Sequence, residues 1–260
     1  MKKLCIYLSI CTTLMAHASN PIYILIHGTW STESTWSMPE GDFFDELVKS
    51  TAKSNAMVIP YNWSGKLSHA SRLQAAKGLV QVIQSYPVDT DIHLVGHSHG
   101  GNVALLAAQI LGRDRYNRHT IRALYTLGTP ISLEEYFPDM DVITNVYNLF
   151  SRADMVQSVF GTSGREFIEH KRIANLRITI DGKAPGHTDL HHPVIARWLP
   201  SIPEDLSKRR INGFQFFVCG NPGMVHFGFQ GEPRYEIDMR EVALKKAVAL
   251  ELLKRHHQLD

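Results

Sequence analysis

Residues 96 to 100 read Gly-His-Ser-His-Gly, a serine set between two glycines with the spacing G-x-S-x-G. A serine hydroxyl is a weak nucleophile at neutral pH, and it attacks only when a base within hydrogen-bond reach takes its proton. The spacing has a steric reason: a serine pushed out on a tight turn needs neighbours without Cβ two positions before and after it. Here those neighbours are Gly96 and Gly100. His97-Ser98-His99 also resembles the start of the H-x-H-x-D-H pattern of metal-dependent hydrolases. Gly101 and Asn102 stand where that pattern needs Asp and His, so no metal is expected.

The motif requires a strand before it and a helix after it. Residues 92–95 are Ile-His-Leu-Val, and residues 103–108 are small and apolar, so both are supplied. A helix beginning here places unpaired N–H groups and partial positive charge beside Ser98. The rest of the chain repeats the alternation. Residues 22–26, 56–59, 92–95, 121–127, 142–150 and 176–180 read as strands, several of them apolar throughout. Continuous apolar strands imply a sheet covered on both faces. Helical patterns fall at 41–53, 68–86, 102–111 and 189–198, with Ser68 and Asp189 as candidate N-caps. Strand and helix taking turns predict an α/β fold with a mainly parallel sheet of about six strands and helices on both faces. The last sixty residues break the pattern: 214–218 and 224–229 read as a Phe-rich hairpin and 238–255 as a long helix. That hairpin either packs beneath the helix or faces lipid.

Composition sets the frame. With 260 residues, 44% apolar and 20% charged, the chain has material for one sizeable core, so one domain over 19–260 is expected, with a core at about 21–200 and an extension over 201–260. Residues 1–18 have the order of a secretory signal: Lys2 and Lys3, a mostly apolar stretch from 4 to 15, then Ala16-His17-Ala18. A dozen residues is short of the roughly 20 needed to span hydrocarbon. Cleavage after Ala18 and a periplasmic or extracellular location are therefore expected. Removing the signal takes Cys5 and Cys11 and leaves Cys219 alone, with no internal disulfide. Without Lys2 and Lys3, 25 basic residues face 25 acidic ones, a balance that argues against nucleic acid as a partner.

The sequence resembles the α/β-hydrolase family, in its lipase and esterase branch, from about residue 22 to 198. The resemblance is carried by His27-Gly28 after the first strand, GHSHGG at 96–101, LGTP at 127–130, SRADMV at 151–156 and GHTDLH at 186–191. Their chain order is nucleophile, acid, histidine. It implies Ser98 as nucleophile, His187 as its base and Asp154 as the acid that orients the base. His191 is the rival base, one helical turn on, with His192 behind it. For the acid, Asp141 precedes its strand and belongs at the far edge of the sheet, and Asp181 would have to fold back. Asp154 reads equally as a helix N-cap before Met155. The oxyanion formed on attack would be held by the backbone N–H groups of His99 and Thr29, with Trp30 the nearest alternative.

Only about a dozen residues separate LGTP from the next strand, too few for a helical cap, so an open site on a minimal core is expected. Trp30, Trp36 and residues 61–65 either line its pocket or belong to the core. The resemblance implies an exported carboxylic ester hydrolase, with a small-molecule or lipid ester as substrate, transient contact with a lipid surface and no cofactor. An acyltransferase using the same residues, and a binding module that kept the fold without the chemistry, are the alternatives.

Overall fold

The computed structural model describes residues 20–32, 35–161, 164–168, 170–208, 223–227 and 233–237. The expected export signal at 1–18, the expected strand at 214–218 and the expected helix at 238–255 lie outside these residues. Six strands, β1 (Ile22–Ile26), β2 (Met57–Tyr61), β3 (Ile92–His97), β4 (Ile121–Leu127), β5 (Val146–Phe150) and β6 (Ile173–Ile180), form a parallel sheet. It is extended by β7 (Gly223–Phe227), parallel to β6, and by β8 (Pro233–Ile237), antiparallel to β7. The order across the sheet is β2-β1-β3-β4-β5-β6-β7-β8. The hairpin therefore differs from the expected one. Gly223–Phe227 pairs with Pro233–Ile237, and the pair continues the sheet as its edge. Proline opens the edge strand, where its missing N–H breaks no ladder.

The helices are α1 (Asp42–Thr51), α2 (His69–Gln84), α3 (His99–Arg113), α4 (Met155–Phe160), α5 (Pro193–Trp198) and α6 (Ile202–Lys208). Along β1, Ile22, Ile24 and Ile26 enter one core with α2 and α3, while Tyr23 and Leu25 enter a second core with α1, α5 and α6. This is why the strand is apolar at every position. Ser68 caps α2, its Oγ accepting from the Ser71 amide at 3.1 Å.

Several element boundaries depart from the sequence reading, two of them for a reason visible in the packing and the chain. Residues 142–145 are not continuous strand: Ile143 makes an isolated bridge to Ile121, and regular pairing resumes at Val146 opposite Leu124. Val142 and Ile143 are buried, so their apolar character serves packing in a loop. The helix expected at 189–198 is split into a 3₁₀ turn, Thr188–His191, and α5, which starts at Pro193 with His192 as its cap. Proline is tolerated in the first turn of a helix and not in its interior, so the helix begins there. Asp189 instead accepts the Gly186 amide at 2.9 Å.

Candidate active site

The loops after β1, β3, β4, β5 and β6 meet at the carboxyl ends of the strands. The chain reverses its progress across the sheet between β1 and β3, and such a switch point opens a crevice for ligands. Ser98 follows β3 directly. Its backbone has φ 54° and ψ −133°, a sparsely populated conformation for a residue with a side chain. The turn is tight enough that a Cβ on Gly96 would lie 2.5 Å from the Gly101 backbone, and one on Gly100 would collide with the carbonyls of Ile26 and His27. The helix after it starts at His99 rather than Asn102, so the His99 amide belongs to the first turn, where N–H groups have no intrahelical acceptor.

The loop after β1 lies against the serine: a Cβ on Gly28 would be 2.8 Å from Ser98 Cβ. This brings Thr29 next to the turn that carries Ser98. The Trp30 amide donates to the Gly65 carbonyl at 2.9 Å, so the alternative donor is already committed. His27 holds this loop in place. Its Nδ1–H donates to the Gly28 carbonyl at 2.8 Å, and Nε2 accepts the Trp63 amide at 3.2 Å.

Asp154 is fully buried after β5, and its two oxygens serve different partners. Oδ2 accepts from His187 Nδ1 at 2.8 Å, and Oδ1 accepts the Gln157 amide at 2.9 Å as the N-cap of α4. The residue thus bonds His187 and caps α4 at once. A carboxylate only accepts, so His187 donates from Nδ1, and in the neutral tautomer that this bond selects Nε2 is the bare nitrogen. Gly128, in the left-handed region at φ 59°, makes room for this pair: a Cβ there would be 2.7 Å from Asp154 Oδ2 and 3.3 Å from His187 Nδ1. Asp181 is exposed and its amide donates to Phe227. Asp141 is exposed near the opposite end of the strands, beside the Ile121–Ile143 bridge.

The rival histidines have other surroundings. His191 stacks on Trp36 with ring centroids 5.2 Å apart and meets the edge of His97 at 4.9 Å. His192 caps α5. His97 Nε2–H donates to the His187 carbonyl at 2.9 Å, and burial, with His187 and His191 beside it, holds its ring well below the usual imidazole range. His99 is pushed down to about 4 by burial, then by Arg72 and His187. Among the described residues, no group of three or more His, Cys, Asp or Glu side chains is arranged to hold a metal ion.

For the aromatic residues left open between pocket and core, the structure shows both outcomes. Trp36 and Trp63 are buried in the packing, and residues 61–64 line a separate cleft against α2. A cleft of about 430 Å³ instead opens beside His99 and Asn102, walled by Leu67, Arg72, Tyr136 and Phe160. Sequence reading missed Arg72 altogether. No helix covers the loop between β4 and β5, as the short spacing predicts.

Residues 24–163 match the lipase (class 3) family. Among solved structures, a protein named as a hydrolase of the alpha/beta superfamily from Xanthomonas campestris pv. campestris is 15% identical, with 72% of this chain and 99% of that chain covered at a TM-score of 0.46. One named as a hydrolase from Agrobacterium vitis S4 is 15% identical, over 72% of this chain and 89% of that one, at 0.45. One named as a cell surface hydrolase from Lactobacillus plantarum WCFS1 is 14% identical, over 74% and 99%, at 0.47. No chemistry is carried over from these likenesses. No curated protein matches the chain.

Proposed function

Since the chain belongs to the class 3 lipase family, and so to the lipase-like hydrolases, we propose that it is an exported enzyme that cleaves carboxylic esters through an acyl-enzyme. Ser98 Oγ attacks the ester carbonyl. His187 Nε2 takes the serine proton and returns it to the leaving alcohol, and Asp154 holds the ring in the required tautomer. The amides of His99 and Thr29 receive the oxyanion. Water then repeats the cycle on the acyl-serine, releasing the acid.

The observation that carries this reading is the 2.8 Å bond from His187 Nδ1 to a fully buried Asp154 oxygen. It leaves a bare imidazole nitrogen at the strand ends where Ser98 stands on its strained turn. Trp30, Met155 and Val159 are exposed nearby in the chain, after Gly28 and Asp154, which suits an ester presented at a lipid surface. Export is supported by the order of residues 2–18 in the sequence.

Hydrolysis of short- and long-chain 4-nitrophenyl esters tests the assignment. Ser98→Ala and His187→Ala are each expected to lower kcat by at least about 10⁴-fold, and His191→Ala to retain most of it. Full activity in Ser98→Ala would falsify the mechanism. Loss in His191→Ala with His187→Ala still active would transfer the base to His191.

A further inference from the structure

Arg72, in the first turn of α2, is only 8% exposed and lines the cleft beside His99 and Asn102. Its Nε and Nη2 donate to Tyr136 Oη at 3.0 and 2.7 Å, and the guanidinium carbon lies 5.3 Å from the centre of the Tyr136 ring. Nη1 is buried with no hydrogen-bond partner. No carboxylate among the described residues forms an ion pair with Arg72, and Glu135 pairs with His69 at 3.9 Å instead. A guanidinium stays charged in a protein. Tyr136 does not neutralise it, since burial raises the phenol above its ordinary range. A buried charge with an unmade hydrogen bond is costly unless something completes it.

The cleft sets what that partner is. Its volume of about 430 Å³ holds a small substituent. It shares His99 and Asn102 with the first turn of α3, immediately after Ser98. The cleft therefore adjoins the turn that carries Ser98. Arginine's planar donors favour carboxylate and phosphate oxygens. Glu134 and Glu135 are exposed lining residues, and they disfavour negative charge outside the depth reached by Arg72.

We propose that this cleft is an anion subsite of the ester site, in which the Arg72 guanidinium donates to one carboxylate or phosphate oxygen carried by the substrate. The ester so selected bears one negative charge held inward, with an uncharged or cationic remainder toward the two glutamates. The proposal rests on the ester-hydrolase reading, and the test separates the two.

Wild type, Arg72→Gln and Arg72→Lys are compared on 4-nitrophenyl butyrate and mono-4-nitrophenyl glutarate, whose acyl chain ends in a carboxylate. The ratio of kcat/KM, glutarate ester over butyrate, is expected to fall at least tenfold in Arg72→Gln and to be partly restored in Arg72→Lys. A smaller fall overturns the subsite while Ser98-dependent hydrolysis of butyrate keeps the esterase reading intact. Thermal unfolding of wild type and Ser98→Ala with free glutarate or inorganic phosphate, against sodium chloride at equal ionic strength, reads binding without catalysis. A rise in Tm that saturates with the concentration of either anion, as a site does and a general salt effect does not, supports the subsite and tells carboxylate from phosphate, even if neither ester is hydrolysed or the Arg72 variants fail to fold. No saturating rise with either anion overturns it.

Discussion

A carboxylate has two oxygens, and Asp154 gives one to His187, the proposed base, and the other to a helix. The two tasks come apart in substitution. Asparagine at 154 still has an oxygen for the Gln157 amide but offers His187 the wrong tautomeric partner. Asp154→Asn is therefore expected to lose about 10⁴-fold in kcat with Tm close to wild type, and Asp154→Ala to lose a similar rate plus about 1 kcal/mol of stability from the missing cap. Equal Tm values for the two variants would remove the cap from the account. The candidate nucleophile, acid and base were legible in the sequence because each lies in a short motif after a strand. Arg72 was not. In its helix it reads as one more polar residue, and its burial depends on Tyr136, 64 residues away in sequence. Gly128 was visible within LGTP, but its reason required Asp154 and His187 to be placed against it.

Between elements, a buried polar ladder crosses three strands below this pair. Thr126 Oγ1 donates to Asn148 Oδ1, and Asn148 Nδ2 donates to Asn175 Oδ1, each at 2.9 Å. Asn148 also donates to the Arg165 carbonyl, and Asn175 holds both the amide and the carbonyl of Phe167. The loop so anchored carries Arg165, which donates to the Asp154 carbonyl at 3.0 Å. Asn148→Leu strips the shared acceptor from Thr126 and the donor from Asn175 and Arg165, and is expected to cost about 1–3 kcal/mol, read from urea unfolding midpoints. An unchanged midpoint would sink the ladder as a stabilising feature. Strand order and layering were readable from continuous apolar runs. The ladder was hidden because Thr126, Asn148 and Asn175 align only through the pairings Thr126↔Asn148 and Asn148↔Asn175. The strand start at 142–145 was misread because apolar residues serve loops that pack as well as strands that pair, and the helix start at 189–192 because Pro193 sets it.

For the whole molecule, the histidines decide the response to acid. His27, His93, His97, His99 and His191 are all held below the ordinary imidazole range, with burial as the first cause in each. For His93 and His99 the value is about 4. As pH falls below about 6.5, the unfolded chain binds protons that the folded one refuses, so stability is full above that pH and is lost between about 6.5 and 4. His93 and His99 each contribute a slope that approaches about 1.4 kcal/mol per pH unit inside that window, and the others add in the same direction. Urea midpoints are expected to fall steadily from pH 7 to 5, and a flat profile would contradict the neutral buried rings. Ser98 sets the opposite kind of balance. Its left-handed backbone is a place where glycine would rest more easily, whereas Asp154 anchors a helix as well as a base. Under selection for heat resistance alone, the proposed nucleophile is the residue whose replacement is expected to gain stability and the proposed acid the one whose replacement is expected to lose it. A descendant that had given up catalysis would then be recognisable by a retained Asp154 beside a missing serine.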